Sequence, residues 1–351
     1  MGEGATPQFD IVIATLNRES ALRLSVPRML TQSALPANFI VVDASDNHNQ
    51  VKKTLESAFQ KANTSVRLKI VRSEAGSSLQ RNVGLEFVES PIVFFPDDDA
   101  LWFDGFSEAI MKVYTADTMN EIGGVAGTAS SVPPPGVLAY RHTPYRMELH
   151  DLLAPRLRQF MRTIETFFPD PLFLEGHIRN QHKCAPSWLQ SDDNVAVSNL
   201  MSGFLMTFRA DLIRKTGFDE TLGRYAAFED RDASLALLDT HIIARAVHAH
   251  VFHYRAPEKR VSGFEWGFIK IANCAYILCK HTLESALSRR YLRRFSYYKL
   301  LSYLLQAHTS YGRARVAGAL SAIRHLPAFL AASKGELPEV YTSLRKRYLG
   351  H

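Results

Sequence analysis

Three consecutive aspartates, Asp97 to Asp99, follow a hydrophobic run in the segment VFFPDDDALW, residues 93–102. Adjacent carboxylates repel one another, so a chain that places them at the end of an apolar segment is expected to hold something positive there. Carboxylate oxygens suit Mg²⁺ or Mn²⁺, which commonly takes one or two protein carboxylates together with substrate phosphates. At a strand end, Asp97 and Asp99 would share one side while Asp98 points away. The pattern predicts a divalent cation site, with a solvated acidic loop as the alternative.

The sequence lacks both common glycine-rich phosphate loops, GxGxxG after a strand and GxxxxGK[ST]. Phosphate groups would therefore be held by the cation and by side chains. Arg18, Arg72 and Arg81 are candidates near the same predicted sheet edge. The alternative interpretation is that each of these residues is an ordinary arginine at the protein surface.

A second acidic cluster lies in GFDETLGRYAAFEDRDASL, residues 217–235, where Glu229 and Asp230 open a predicted helix. Acids in a first helical turn complement the helix dipole, which gives them a purely structural interpretation. A carboxylate that faces the cation site can instead take the proton from an acceptor hydroxyl. Both interpretations remain open from the residues alone.

Three histidines follow in HAHVFHY. Strand alternation would put His248 and His250 on one face, with His253 beyond them near the strand end. A carboxylate site can recruit one imidazole as a further metal ligand, although a packed or exposed histidine is the simpler interpretation.

The elements that must position these residues alternate along the first hundred residues. Four short apolar runs that end in polar residues predict buried strands: 9–17, 39–45, 67–73 and 92–99. Helical apolar spacing lies between them, over 19–33, 52–62 and 78–90. Strands that alternate with helices predict an α/β fold with a mainly parallel sheet covered on both faces. Ligands of such sheets bind at the carboxyl ends of strands, where Thr15, Asn17, Asp43 and the three aspartates fall.

The rest of the chain predicts two domains. Residues 198–223 indicate a strand, a helix and a turn, 228–239 a helix, and 241–254 strands. After Ser262 the pattern is predominantly helical to the end. We therefore expect a catalytic domain over 1–261 and a basic helical region over 262–351. Residues 130–195 fit no named pattern and are expected to form a variable insert that contributes to acceptor binding.

The composition indicates the class of protein and the cellular compartment in which we expect it. The 351 residues are 46% hydrophobic and 22% charged, which is ordinary for a globular protein. The cysteines Cys184, Cys274 and Cys279 form no CxxC pair, and their odd number predicts a reducing cytoplasm. The N-terminus lacks the pattern of a signal peptide. An uninterrupted apolar run of about 18 residues, the length of a membrane span, does not occur.

The charge is divided unevenly. From Arg255 onward, 17 Lys and Arg face five Asp and Glu, a net +12, so the first 254 residues carry −6 of the overall +6. In 283–306 helical spacing predicts an apolar stripe that consists of Leu283, Leu287, Tyr291, Phe295, Tyr298 and Leu305. Four arginines flank this stripe. Such a helix either lies on an anionic membrane surface or packs on the catalytic domain with a solvated basic side. No recognition motif supports nucleic-acid binding.

Six segments, in this order between Phe9 and about Tyr254, resemble the family 2 glycosyltransferases of GT-A fold: IVIATLNR, VVDASD, GSSLQRNVGL, FFPDDD, SGFLMTFRADLIRKTGFDETL and FEDRD. The resemblance implies a Rossmann-like, mainly parallel sheet and an inverting transfer of a sugar from a nucleotide diphosphate, most often UDP. The acceptor implied is a hydroxyl of a glycan or lipid-linked molecule in surface polysaccharide or glycolipid synthesis, at the inner face of the plasma membrane. The cofactor implied is Mn²⁺ or Mg²⁺.

The resemblance also implies site residues, by motif position. The nucleotide-sugar contacts implied are Thr15, Asn17, Arg18, Asp43, Arg81, Asn82, Asp97 and Asp98. Asp97 and Asp99 match the DxD motif, with Asp99 favoured as the direct metal ligand, and His253 falls at a metal-binding position. Asp230 matches the catalytic base, with Glu229 beside it.

The sequence departs from the family pattern in two of these motifs. Ala44 follows Asp43 where the family has a second aspartate, and no arginine occurs in ASLALLD after the Glu229–Asp230 pair. The alternatives are a sugar-phosphate nucleotidyltransferase and a non-catalytic scaffold of the same fold. The first should carry a Gly-rich, basic loop after its first strand, whereas this chain has ATLNRES. The second would not need the aspartates.

Overall fold

A computed structural model of the chain describes residues 7–137, 168–181, 183–255, 261–281 and 286–350. These residues divide into two compact units. The first unit spans Met1–Tyr140, Arg179–Glu220 and Glu229–Lys259, and the second spans Arg141–Ile178, Thr221–Phe228 and Arg260–His351. The second unit thus takes in two segments that the sequence assigned to the first domain. Nearly half of the predicted insert, residues 138–167, lies outside the described residues.

The first unit is built on one large sheet. Within the described residues its strands are β1 Phe9–Thr15, β2 Asn38–Asp43, β3 Arg67–Arg72, β4 Ile92–Phe94, β5 Ala100–Trp102, β6 Ile122–Ser130, β7 Val195–Ser198, β8 Met206–Arg209 and β9 Ile242–His253. Their order is β3-β2-β1-β4-β8-β6-β9-β5, and β7 pairs with β9. Strands β1 to β4, β6 and β9 run in one direction, and β5, β7 and β8 run against them. The sheet is mixed and mainly parallel, which confirms the predicted fold class.

Helices connect and cover the strands of this unit. They are α1 Glu19–Leu30, α2 His48–Ala62, α3 Ser77–Leu85, α4 Phe106–Ala116, α5 Pro171–Gln181, α6 Ser187–Gln190, α7 Ala210–Thr216 and α8 Glu229–Leu237, with α5 shared between the units. Strands β1 and β2 are buried along nearly their whole length, as expected for strands covered on both faces. Each fully buried Ile, Val or Phe stabilises the fold by about 1.5–3 kcal/mol.

Two elements, β4 and α3, each end five residues earlier than the sequence predicted. Strand β4 stops at Phe94 rather than continuing to residue 99. Pro96 has no N–H to continue a ladder, so the chain turns and β5 begins directly after the aspartates. Helix α3 ends at Leu85 rather than at residue 90.

The second unit is helical. Its helices after residue 260 are α9 Gly263–His281, α10 Ala286–Leu304, α11 Ser310–Arg324, α12 Leu326–Ala331 and α13 Leu337–Leu349. Helix α9 packs against α11 at backbone distance, because a Cβ on Gly267 would lie 2.1 Å from the Arg315 carbonyl oxygen. Among the described residues, no helix combines the length and the apolar character that crossing a bilayer requires.

Helix α10 does not present the apolar stripe that the sequence predicted. Phe295 and Tyr298 are buried, while Leu287 and Leu305 of the same predicted stripe are about half exposed. Leu283 lies outside the described residues. Helix α10 also contacts the neighbouring helix α11, and Phe168 stacks on Tyr298. A different set of apolar residues remains at the surface: Tyr297, Leu301, Leu304 and Leu305.

Candidate functional site

The polar residues after β1, β2 and β4 meet at one edge of the sheet. Thr15 at the end of β1 is the register partner of Asp43 at the end of β2. Strand β4 lies on the other side of β1, so the three aspartates that follow it lie beside Thr15. Parallel pairing therefore brings together residues that are about eighty positions apart in the chain.

Asp98 points toward β1 and α1. Its carboxylate accepts hydrogen bonds from Thr15 Oγ1 at 2.9 Å and from Arg18 Nη1 at 3.1 Å, and its carbonyl oxygen accepts one from Ser25 Oγ at 2.7 Å. Burial raises the pKa of Asp98 to about 6, against the opposing attraction of Arg18. These contacts fix the aspartate turn, so Asp98 has a structural role in addition to any contact with a nucleotide.

Asp97 and Asp99 both approach His253, and the Oδ2 atom of Asp99 also lies 3.7 Å from the Arg18 Nη1 that contacts Asp98. Ligand atoms of the three residues all lie within 4.8 Å of one another. The Nε2 atom of His253 is 3.1 Å from Asp99 Oδ1 and 3.8 Å from Asp97 Oδ2. The antiparallel pairing of β5 with β9 sets this geometry, because Ala100 is the register partner of His253. Phe204 stacks on the His253 ring with centroids 4.4 Å apart and holds its orientation.

This cluster fits a divalent cation. It offers two carboxylates and one imidazole, a set of oxygen and nitrogen donors that suits Mn²⁺ or Mg²⁺ and leaves positions for phosphate oxygens. Asp99 is almost fully buried, whereas Asp97 and His253 are partly exposed. Two carboxylates this close to one another repel, and a cation between them would remove the repulsion.

Arg81 links the aspartate turn to helix α8. Its guanidinium donates to Asp97 Oδ1 at 2.9 Å and forms a short ion pair with Glu229, whose other oxygen accepts from Ser77 and Ser78. Burial disfavours the guanidinium charge, but the attraction of Glu229 and Asp97 outweighs it and raises the pKa of Arg81. Burial also raises the pKa of Glu229, against the attraction of Arg81. Arg81 therefore reduces the repulsion between two carboxylates by lying between them.

Replacing Arg81 by alanine is expected to destabilise the protein by about 3–5 kcal/mol, because Glu229 and Asp97 would lose their buried counter-charge. The deficit should shrink as the pH falls through the raised pKa of Glu229, since protonation neutralises that carboxylate. Urea unfolding would measure it. The matched control is Arg67→Ala, which breaks the exposed Arg67–Glu89 pair and should cost less than about 1 kcal/mol. Equal losses in the two variants would contradict this account of Arg81.

Asp230 differs from its neighbour Glu229. It is only partly buried, and its carboxylate accepts backbone N–H groups from Gly203 at 2.8 Å and from Arg231 at 2.9 Å. A Cβ placed on Gly203 would lie within 3.9 Å of Arg81, Asp97 and Asp230, so the three side chains surround one glycine. A carboxylate has about four lone-pair sites, which leaves Asp230 with capacity to accept a proton from a further hydroxyl.

Asp43 is fully buried at the end of β2. It accepts the backbone N–H of Ser45 at 2.8 Å, lies 2.6 Å from His48 Nδ1, and is 3.6 Å from the guanidinium of Arg72. Its carboxylate is therefore held in place by three neighbours on its own side of the sheet.

Asn17 closes the loop after β1, with a left-handed φ of 53°. Its backbone N–H donates to Ser45 Oγ, and its side chain exchanges two hydrogen bonds of 2.9 Å with Asp46. Asp46 thus takes part in this loop although Ala44 interrupts the expected pair of aspartates.

Asn82 contacts the segment that follows α7. Its amide exchanges hydrogen bonds with the backbone of Phe218, at 2.8 and 2.9 Å, and donates to Glu220 at 2.8 Å. These contacts hold the turn that precedes α8. In this structure Asn82 supports the loop rather than facing the aspartates.

Sequence reasoning missed several residues of the site. Four further residues contact one of the predicted carboxylates: Ser77, Ser78, Gly203 and His48. None of them belongs to one of the acidic motifs that the sequence analysis identified. Ser77 and Ser78 lie in GSSLQRN and Gly203 in SGFLM, so the segments themselves were visible and their individual roles were not. His48 opens α2 with no motif of its own.

The profile described as Glycosyl transferase family 2 matches residues 10–169. None of the curated proteins matches the chain.

Solved structures similar to the chain are glycosyltransferase structures. A mannosyltransferase from Pyrobaculum calidifontis in complex with GDP-Man and Mn²⁺ is 12% identical over 99% of this chain and 89% of that chain, with a TM-score of 0.51. S. aureus TarS 1–349 in complex with UDP-GlcNAc is 12% identical over 98% of this chain and 92% of that chain, with a TM-score of 0.52. GalNAc-T7 with UDP, GalNAc and Mn²⁺ is 14% identical over 98% of this chain and 58% of that chain, with a TM-score of 0.53. At these identities the similarity shows a shared fold, the GT-A fold that the sequence predicted.

Proposed function

We propose, because the chain belongs to glycosyl transferase family 2, that it transfers a sugar from a nucleotide diphosphate donor to an acceptor hydroxyl with inversion at the anomeric carbon. The observation that carries the proposal is the placement of the Asp97–Asp99–His253 cluster and Asp230 around Gly203 and Arg81. A cation site for the diphosphate and a carboxylate for the acceptor then lie close together. A non-catalytic scaffold would have no need of both.

The donor is proposed to bind through its diphosphate. Asp97, Asp99 and His253 would hold Mn²⁺ or Mg²⁺, which when bound offsets the charge that develops on the departing diphosphate. Thr15, Asn17 and Asp43 line the adjoining loops, where the nucleotide is proposed to lie. Three of the similar structures contain GDP-Man, UDP-GlcNAc or UDP with Mn²⁺, which supports a nucleotide diphosphate donor; we propose UDP.

Asp230 is proposed as the catalytic base. It would accept the proton of the acceptor hydroxyl as that oxygen attacks the anomeric carbon from the face opposite the diphosphate. One displacement inverts the configuration, so no protein nucleophile is required. Glu229 acts as a positioning residue through its ion pair with Arg81, which in turn holds Asp97.

A panel of nucleotide sugars tests the proposal directly. Purified protein is incubated with each donor, with and without Mn²⁺, and release of the nucleoside diphosphate is measured. We expect one donor to be turned over only when the cation is present. Release of pyrophosphate from a nucleoside triphosphate and a sugar phosphate would instead identify a nucleotidyltransferase.

The acceptor is proposed to be a glycan or lipid-linked hydroxyl, used at the cytoplasmic face of a membrane. The cysteines Cys184, Cys274 and Cys279 are odd in number and form no CxxC pair, which supports a reducing compartment. Helix α10 supports the membrane association, because it exposes large apolar side chains close to four arginines. Apolar insertion together with basic charge is the usual basis for peripheral binding to anionic lipid.

Changing the exposed leucines Leu301, Leu304 and Leu305 to serine is expected to weaken binding to phosphatidylglycerol vesicles by at least ~10-fold, since each buried leucine contributes about 1.5–3 kcal/mol. Flotation assays would measure the change. The matched control replaces three exposed apolar residues of the first unit, Leu35, Met119 and Val132, and should leave flotation unchanged. Unaltered binding of the leucine variant would remove α10 as the membrane contact.

A further inference from the structure

Helix α10 carries a groove whose lining is mostly arginine. The groove has a volume of about 580 Å³ and is lined by Phe168, Arg289, Arg290, Arg293, Arg294 and Tyr297. All six residues belong to the second unit. None of them takes part in the candidate catalytic site.

The four arginines form two pairs one helical turn apart. Arg289 and Arg293, and likewise Arg290 and Arg294, are at i and i+4 and lie about 6 Å apart along the helix axis. Like charges at this spacing destabilise a helix. Among the ion pairs found between described residues, none involves these arginines. Their charge is therefore concentrated on one face without a carboxylate from that part of the chain to offset it.

Aromatic rings border this charge. Phe168 stacks on Tyr298 of α10, with ring centroids 5.4 Å apart and an interplanar angle of 14°. Tyr297, which precedes Tyr298 in the helix, is 59% exposed. The groove thus combines guanidinium groups with a flat apolar wall, which suits a ligand with both an anionic group and a ring or chain.

We infer that this groove binds the phosphate or diphosphate group of an organic molecule whose apolar or ring portion lies against Phe168 and Tyr297. Guanidinium groups bind phosphate oxygens in bidentate geometry and keep their charge at any physiological pH. Two such pairs, one turn apart, can hold one diphosphate or two neighbouring phosphates. The inference does not depend on the transferase proposal, because it uses no residue of that site.

Binding of inorganic pyrophosphate to the full chain tests the inference. Isothermal titration calorimetry in EDTA excludes any contribution that requires a divalent cation at Asp97 and Asp99. The variant Arg290→Gln with Arg294→Gln should bind ~10- to 100-fold more weakly, the range set by the loss of one or two charge-assisted hydrogen bonds. The control, Arg324→Gln with Lys346→Gln, removes the same charge from exposed positions outside the groove and should bind like the unmodified protein.

Vesicle flotation, compared with pyrophosphate binding, shows whether the bound phosphate belongs to a lipid headgroup or to a soluble molecule. Loss of flotation with phosphatidic acid vesicles, but not with phosphatidylcholine vesicles, in the arginine variant would identify a lipid headgroup. Unchanged flotation together with lost pyrophosphate binding would identify a soluble phosphorylated ligand. Pyrophosphate binding that is absent in the unmodified protein, or equal in the arginine variant and the control, would overturn the inference. Since the substituted side chains are at the surface, circular dichroism should show that all variants remain folded.

Discussion

Sugar transfer by the Asp230→Asn variant is expected to fall by about 10²- to 10⁴-fold, the contribution of a positioned general base, while binding of the donor nucleotide stays intact. Asparagine keeps the size of the side chain, and its one carbonyl oxygen can still accept the backbone N–H of Gly203, while the hydrogen bond from Arg231 to the second carboxylate oxygen is lost. What it loses is the ability to take the proton of the acceptor hydroxyl. The measurements are initial rates of transfer, and calorimetric binding of the nucleoside diphosphate with Mn²⁺.

Two further variants show whether the effect is specific to Asp230. Asp104→Asn removes an exposed carboxylate of the same unit and should leave both measurements unchanged. Glu229→Gln should reduce stability as well as rate, because it weakens the buried ion pair with Arg81 and leaves that guanidinium without its main counter-charge. Transfer by Asp230→Asn at the rate of the unmodified protein would exclude Asp230 as the base.

The difference between Glu229 and Asp230 shows what the sequence could and could not provide. Two adjacent acids at a helix start are equivalent by composition, and both were candidates. The family motif assigned the base to Asp230, and the folded chain adds the physical difference: backbone amides hold Asp230, whereas Arg81 and the two serines of α3 hold Glu229. These contacts join residues about 150 positions apart in the chain. No local pattern encodes such a distance.

The fold of the first unit was easier to predict from the sequence. Strands β1 to β3 are short runs of β-branched and apolar residues that end in polar ones, and their observed bounds lie within about two residues of the prediction. Parallel pairing then places Thr15, Asp43 and the aspartate turn at one edge without further information. Strand β4 was predicted too long because Pro96, which ends the ladder, was included in the strand.

Helix α10 was the hardest element to predict. An amphipathic pattern indicates that one face will be covered, but it does not state by what. Phe295 and Tyr298 are buried within the protein, and the apolar residues left at the surface follow a different line along the helix. The arginines were correctly seen as one cluster, but the aromatic border of their groove comes partly from Phe168, more than a hundred residues earlier. A helical wheel drawn for α10 alone could not include it.

The second large effect concerns the cation site. Asp99→Asn is expected to abolish the stabilisation that a nucleoside diphosphate and Mn²⁺ together give to the unmodified protein. Asp99 is almost fully buried and lies 3.1 Å from His253, so the substitution removes a charged ligand at the centre of the cluster without creating a cavity. A ligand present at about 100 times its dissociation constant stabilises a protein by about 2.7 kcal/mol, which a thermal-shift assay resolves. EDTA should have the same effect on the unmodified protein as the substitution.

Two histidines on β9 provide the matched comparison for this prediction. His253→Gln removes the third ligand and should weaken the Mn²⁺-dependent shift, while His250→Gln changes an exposed imidazole on the same strand, outside the cluster, and should not. Because His253 also stacks on Phe204, the nucleotide-free melting temperature of each variant must be measured to separate lost packing from lost metal binding. If Asp99→Asn kept the full Mn²⁺-dependent shift, the carboxylates after β4 would have no part in holding the cation, and the diphosphate would have to bind elsewhere.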